Sequence, residues 1–474
     1  MKLEQIYTGC IAHAAYYIES NGEAAIFDPL REVQSYIDRA KKDNAKIKYV
    51  FETHFHADFV SGHLDLANKT GAKIVYGPTA NPDFEAIIAE DMQVFKVGDY
   101  SIKAIHTPGH TLESTCYLVM DENGKEHGII TGDTLFIGDV GRPDLAQKLV
   151  ADLTQEKLAS MLYDSLRNKI MPMDDNLIIY PNHGAGSACG KNMSKETTDT
   201  LGHQKQVNYA LRTDMTREEF IKELLDGLSA PPGYFPSNVM MNIKGYDSMD
   251  DVMTKGMQTL NSEDFEAEAN RTEAIILDTR PNEIFAKSHI PRSINIALNG
   301  DFAPWVGAML VDVKQALLLV TEKGMEEESI IRLSRVGFDN VIGHLDGGFE
   351  SWEKAGKEVD LVNQINATDF SEIFNPENCM IIDVRKEAEY RAEHIDEAFN
   401  KPLDKINEWI SEMNETKNCY IHCAGGYRSM IAASLLKNRG YHDFIEIAGG
   451  FSEISKTEVP CTDFVCQSKL QPSA

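Results

Sequence analysis

The sequence predicts an α/β protein of three domains: a layered sandwich over residues 1–245, then two smaller parallel-sheet units at 246–359 and 360–474. Three observations lead there. The chain of 474 residues exceeds what one core fills, since domains usually hold roughly 100 to 200 residues. Up to about residue 190, short apolar strands alternate with helical patterns. Beyond that, a stretch of about 105 residues occurs twice.

In the first domain, strands are expected at 15–18, 24–27, 49–53, 73–76, 102–107, 128–133 and 177–184, each ending in a polar loop. Helical periodicity falls between them, after Pro29 and again from Ser61, and 193–228 reads as two further helices. Pro231-Pro232-Gly233 breaks the chain, which places a boundary near 245. In the second half, Ile276-Leu277-Asp278-Thr279-Arg280 matches Ile381-Ile382-Asp383-Val384-Arg385. A histidine follows each aspartate by eleven residues, at His289 and His394. Leu345-Asp346-Gly347-Gly348-Phe349 then matches Ile447-Ala448-Gly449-Gly450-Phe451. Each copy runs strand, turn, helix, strand, helix, the pattern of parallel α/β units whose function sits at the carboxyl ends of strands.

A net charge of -28 repels phosphate backbones and argues against nucleic acid as partner. The first residues have no signal-peptide pattern, and no stretch reaches the ~18 apolar residues of a membrane span. A cytoplasmic protein without a membrane partner is therefore expected, in which the eight cysteines stay free thiols.

One strand ends at Thr53 and delivers His54, His56 and Asp58 into a loop. Three more strand ends carry ligand-type residues: His110 in Thr-Pro-Gly-His, Asp133 in Thr-Gly-Asp-Thr and His183 in Pro-Asn-His-Gly. Neutral imidazoles and carboxylates converging from separate strand ends are what a single metal ion requires. This ordered set, over about residues 1–245, resembles the metallo-β-lactamase superfamily and its HxHxDH pattern, which implies an αββα sandwich. Here Asp58 is followed by Phe59, where the pattern has the histidine that serves a second metal. The remaining set of His54, His110 and Asp133 has the two-histidine, one-carboxylate composition of non-haem Fe(II) oxygenases. It is similar to that of the persulfide dioxygenases of the superfamily. That resemblance implies one Fe(II) per chain, with His56, Asp58 and His183 orienting ligands, water or substrate. Arg142 and Lys191 are either contacts for an anionic thiol carrier or ordinary salt-bridge partners. Cys189 either faces the metal and handles sulfur or is an inert buried thiol.

In the last domain a strand leads into Cys423-Ala424-Gly425-Gly426-Tyr427-Arg428-Ser429 and then a helix. A cysteine there meets backbone N–H groups and the positive end of the helix dipole, which favours a sulfur anion. Gly425 and Gly426 let the loop curl around it, and Arg428 is expected to add fixed positive charge. The copy resembles a rhodanese domain; four residues between Cys423 and Arg428 match the tight sulfurtransferase loop. The first copy reads Val-Thr-Glu-Lys-Gly-Met-Glu-Glu-Glu at 320–328, without cysteine or arginine, and is expected to be an inactive rhodanese-like domain.

The whole arrangement resembles the multidomain persulfide dioxygenase–sulfurtransferases of bacterial sulfide detoxification. The partners this implies are a low-molecular-weight persulfide of glutathione, coenzyme A or bacillithiol type, O2 and sulfite, and association as a homo-oligomer. The same histidines also suit a dinuclear zinc thioester hydrolase of glyoxalase II type with an accessory rhodanese.

Overall fold

A computed structural model describes residues 2–145, 153–191, 193–228, 230–310, 312–413 and 418–465. The chain forms two compact units, 1–251 with 311–313 and 331–339, and 252–310 with 314–330 and 340–474.

Two six-stranded sheets build the first unit. One contains, in spatial order, β1 (Lys2–Thr8), β2 (His13–Ser20), β3 (Glu23–Phe27), β4 (Lys46–Phe51), β5 (Lys73–Tyr76) and β6 (Ile87–Ile88). The other runs from β7 (Val94–Val97) through β8 (Tyr100–His106), β9 (Thr115–Met120), β10 (Glu126–Gly132) and β11 (Ile178–Pro181) to β12 (Asp199–Thr200). Alternating residues explain the layers. Tyr16, Ile18, Phe27 and Phe51 of the first sheet meet Ile102, Ala104, Tyr117 and Val119 of the second in a shared core. Their neighbours Tyr17, Ala24 and Ile26 face outward, against Tyr36 and Ala40 of helix Gln34–Lys42 and Leu66 of helix His63–Thr70. On the far side, Ile105, Leu118 and Ile129 pack on Leu162 of helix Gln155–Ser165 and Phe220 of helix Arg217–Leu225. This is the expected αββα sandwich.

The sequence patterns missed β1, β6, β7, β9 and β12, of which β6 and β12 are only two residues long. β1 is polar and only half buried, so it shows no apolar run; β9 is a fully buried run too short to be typed by period alone.

Two parallel five-stranded sheets make up the second unit, and their orders are identical. The first is β13 (Thr259–Leu260), β17 (Val341–Leu345), β16 (Leu317–Val320), β14 (Ile275–Asp278), β15 (Ile294–Asn295). The second is β18 (Gln364–Asn366), β22 (Ile445–Ala448), β21 (Asn418–His422), β19 (Cys379–Asp383), β20 (Phe399–Asn400). The duplicated motifs have a structural cause. Arg280 pairs with Asp278 at 2.6 Å and lies 4.1 Å over the Phe349 ring; Arg385, Asp383 and Phe451 repeat both distances. The Asp-x-Arg turn is thereby locked onto the Gly-Gly-Phe turn in each copy.

The repeated histidines are also structural: His289 and His394 stack on Phe285 and Tyr390, four residues earlier, and donate Nδ1–H to those residues' carbonyls. Burial lowers the His289 pKa from 6.5 to about 4. Folding thus excludes a proton that the unfolded chain binds between those values, so stability rises with pH across this window and is lost as pH falls through it. The contribution is up to about 3 kcal/mol. Urea titrations should show His289→Asn losing less stability than wild type between about pH 6.5 and 4; equal losses would contradict it.

No helix among the described residues is long and apolar enough to cross a membrane.

Candidate metal centre and cysteine loop

Three strand ends of the first unit bring His54, His110 and Asp133 together, with donor atoms all within 4.8 Å. The His54 and His110 Nε2 atoms lie 3.9 and 3.4 Å from Asp133 Oδ2, and all three residues are buried. His110 Nδ1–H donates to the Arg142 carbonyl at 2.8 Å, which leaves the Nε2 lone pair facing the aspartate. Thr53 Oγ1, itself donating to Asp28, receives Nδ1–H of His54 at 2.9 Å. Burial, reinforced by the neighbouring histidines, drives the His54 pKa well below its usual value, so the ring stays neutral. Among the described residues, neither Asp133 oxygen accepts a hydrogen bond. A buried carboxylate without donors, faced by two imidazole lone pairs, is the donor set of a divalent metal, so these residues fit one.

His56 turns the other way. Its Nε2–H donates to Asp28 Oδ1 at 2.9 Å, with Glu52 Oε2 at 3.4 Å. Burial opposes charge on this ring, but the Asp28 and Glu52 carboxylates outweigh it and raise its pKa well above the ordinary value. Asp28 is the hub that sequence reading missed. It accepts from the Thr53 backbone at 2.8 Å, from His56, and from Asn182 at 2.9 Å, and so fixes the ligand loop to two other strand ends. Its only sequence signal is its position at the end of an apolar strand, before Pro29. Asn242 was also unforeseen: its amide donates to the His56 and Phe59 carbonyls and accepts from Ser61 N–H, stapling the loop from helix Phe235–Lys244.

Asp58, His183 and Cys189 form a second buried group, also within 4.8 Å, and His183 Nε2 stands 3.5 Å from both Asp58 Oδ2 and Asp133 Oδ1. Phe59 belongs to neither group; its ring packs at 4.2 and 4.3 Å on His13 and His56. Burial, then the Asp58 and Asp133 charges, push the Cys189 thiol well above its usual pKa. The Arg142 and Lys191 cations are engaged elsewhere. Arg142 is buried in a two-pronged pair with Asp144, at 2.6 Å on each prong, and Lys191 Nζ donates to the Glu223 and Asp226 carbonyls. Arg142 therefore serves the site through the carbonyl that orients His110.

A pocket of about 370 Å³ opens beside His110, lined by Phe55, Ala57, Leu112, Val239, Met240 and Ile243 with Thr111 and Glu113 at its polar edge. Such an apolar pocket beside convergent polar groups is the usual form of a small-molecule site.

Gly141 sets the spacing between His110 and Asp133. A Cβ there would lie 2.1 Å from the Asp133 carbonyl oxygen and 2.9 Å from His110 Nδ1. Gly141→Ala should therefore tilt both ligands and lower metal affinity by about 10- to 100-fold, the usual cost of disturbing what orients a ligand. Chelator competition measures this, and unchanged affinity would contradict the geometry.

In the second unit, β21 ends at His422 and helix Tyr427–Asn438 begins after Gly426, whose φ of 101° needs glycine. Cys423 Sγ is buried in this turn and accepts from Gly426 N–H at 3.1 Å and Ser429 Oγ at 3.4 Å. The backbone donor favours a sulfur anion, and the Ser429 hydroxyl does so when its one proton points to sulfur rather than to Glu446 Oε1 at 2.6 Å. A Cβ on Gly450 would stand 2.4 Å from the Cys423 carbonyl, so the Gly-Gly turn lets the two loops meet; a Cβ on Gly425 would reach open space. Arg428 departs from expectation. Its guanidinium is clamped by Glu389 at 2.6 and 2.7 Å, so its charge is already balanced. In the first copy, β16 runs into helix Glu326–Arg335 with three glutamates in its first turn and no cysteine. Cys461 is half-buried and pairs by backbone with Ile395; Cys466 lies outside the described residues.

Comparison with known proteins adds to this. Residues 8–183 match the metallo-beta-lactamase superfamily, and residues 261–355 and 366–457 each match the rhodanese-like domain. A solved metallo-beta-lactamase structure from Staphylococcus aureus superposes with a TM-score of 0.64 and 30% identity, covering 73% of this chain and 98% of that one. Among curated proteins, a probable hydroxyacylglutathione hydrolase of Schizosaccharomyces pombe is 28% identical over 48% of this chain and 91% of its own length. A second from the same yeast is 31% identical over 34% of this chain, which spans 58% of that protein.

Proposed function

The chain belongs to the metallo-β-lactamase superfamily and carries two rhodanese-like domains, and from that premise we propose that it is a cytoplasmic persulfide dioxygenase coupled to a sulfurtransferase. The observation that carries the reading is the orientation of His56. With that ring held by Asp28 and Glu52, and phenylalanine at 59, the ligand set is two histidines and one carboxylate, which suits a single Fe(II). Fe(II) held by His54, His110 and Asp133 would supply one-electron chemistry for O2 and the persulfide.

The chain's own residues do the rest. Phe55, Ala57, Val239, Met240 and Ile243 receive a thiol persulfide and keep water from its sulfurs. The Nδ1 hydrogen bonds to Thr53 and the Arg142 carbonyl keep both imidazoles aimed at one point. The balanced reaction is RSSH + O2 + H2O → RSH + sulfite + two protons: the terminal sulfur is oxidised and O2 is reduced. At the second site the Cys423 thiolate attacks the terminal sulfur of another persulfide, the old S–S bond breaks, and the carrier leaves as RS⁻. Sulfite then takes that sulfur from Cys423-S-SH and leaves as thiosulfate. Gly426 N–H and Ser429 stabilise the sulfur anion in both half-reactions. Tethering the two activities in one chain raises the effective concentration of sulfite at the cysteine domain.

The hydrolase names of the curated relatives support a second reading, a dinuclear zinc thioesterase. Oxygen-electrode assays with glutathione, coenzyme A and bacillithiol persulfides, run beside S-D-lactoylglutathione hydrolysis, separate the two. Persulfide-dependent O2 uptake without thioester hydrolysis is expected, and the reverse would overturn the proposal.

A further inference from the structure

Behind Cys423 lies a buried carboxylate that sulfur transfer, as described so far, does not use. Ser429 Oγ stands 3.4 Å from Cys423 Sγ on one side and 2.6 Å from Glu446 Oε1 on the other. Gln364 holds the second carboxylate oxygen at 2.8 Å. Ser429 and Glu446 are completely buried, and Cys423 is 1% exposed. Glu446 forms no ion pair among the described residues, so its charge is not kept there by a cation, and burying a carboxylate for packing alone is costly. In the cysteine-free copy the position matching Glu446 is His344. The carboxylate is present where the cysteine is present.

We propose that Glu446 stores the Cys423 proton, reached through the Ser429 hydroxyl, so that the buried sulfur becomes a nucleophile without exchanging a proton with bulk water. The thiol proton passes to Ser429 Oγ while the hydroxyl proton passes to Glu446 Oε1, leaving thiolate and carboxylic acid. The thiolate then takes the terminal sulfur of a persulfide, the donor's S–S bond breaks, and the leaving RS⁻ is neutralised by the stored proton. When sulfite removes the sulfane sulfur, the persulfide proton returns by the same path and Cys423 ends as the thiol. Over the cycle no proton is gained or lost. The assignment rests on the sulfur-transfer reading for its substrate.

Burial raises the Glu446 carboxyl above the usual carboxylate range, against the hydrogen bonds from Ser429 and Gln364. Glu283, from helix Asn282–Lys287, pushes it further the same way. The other charged or titratable groups at the loop are Arg428 with the Glu389 that clamps it, the Asp383–Arg385 pair, and His422, whose Nε2 lies 4.0 Å from Asp383. A carboxyl raised in this way lies closer to a thiol in proton affinity, which a shared proton requires.

The test follows alkylation of Cys423 by iodoacetamide, read by peptide mass spectrometry, across pH in the full-length chain. In wild type the pair shares one proton over an interval of pH, so the rate should level into a plateau there. In Glu446→Gln, which preserves size and a hydrogen-bond acceptor, the plateau should give way to a rise of about tenfold per pH unit. Ser429→Ala, which leaves the carboxylate intact, should behave the same way, and Ser429→Thr should restore the plateau. Superimposable profiles for wild type, Glu446→Gln and Ser429→Ala overturn the relay. If the plateau behaves as described but Cys423→Ser still makes thiosulfate, the relay stands and the sulfur-transfer reading fails.

Discussion

Cys423→Ser is expected to leave persulfide-dependent O2 uptake intact while the product changes from thiosulfate to sulfite. Serine keeps the size of the side chain, and the Gly426 and Ser429 donors that now serve sulfur would serve its oxygen. It cannot hold a sulfane sulfur, so thiosulfate formation should fall by about 10³-fold or more, the scale on which loss of a covalent nucleophile is felt. The candidate metal centre belongs to the other compact unit, with its own core, and should be unaffected. Ion chromatography of both sulfur anions alongside oxygen-electrode traces reads the partition directly. Undiminished thiosulfate would remove Cys423 from the pathway.

Asp133→Asn should abolish O2 uptake and lower metal affinity by well over the 10- to 100-fold that disturbing an outer partner costs. The same change should not weaken the metal-free fold. Both carboxylate oxygens are buried without hydrogen-bond donors, so the charge is a cost that only a cation offsets. Metal titration and thermal unfolding of the metal-free protein check the two halves. A variant that loses stability without metal yet still binds it would show that Asp133 serves the fold.

Strand ends made the candidate metal centre legible. His54, His110 and Asp133 each lie in the polar loop that closes a short apolar run, so local sequence located them without tertiary information. The duplicated turns were legible for a similar reason, since Asp-x-Arg and Gly-Gly-Phe are local motifs whose mutual contact is repeated. What the sequence withheld is the partner of each long polar side chain. Arg142 and Lys191 were open to either reading and Arg428 looked available as a cation, but Asp144, the helix-end carbonyls of Glu223 and Asp226, and Glu389 engage them. Nothing in the spacing of His56 says that Asp28, just past the end of a different strand, turns it aside. Glu446 was invisible because a glutamate in a short strand reads as solvent-facing until its neighbours are known.

One ion, held by two histidines and one carboxylate, should serve an oxygen-using reaction. Elemental analysis of anaerobically purified protein, with persulfide-dependent O2 uptake measured on the same sample, tests it most directly. About one iron per chain is expected, with uptake that scales with iron content. Two zinc ions per chain, the second on Asp58, His183 and Cys189, together with hydrolysis of S-D-lactoylglutathione, would contradict it.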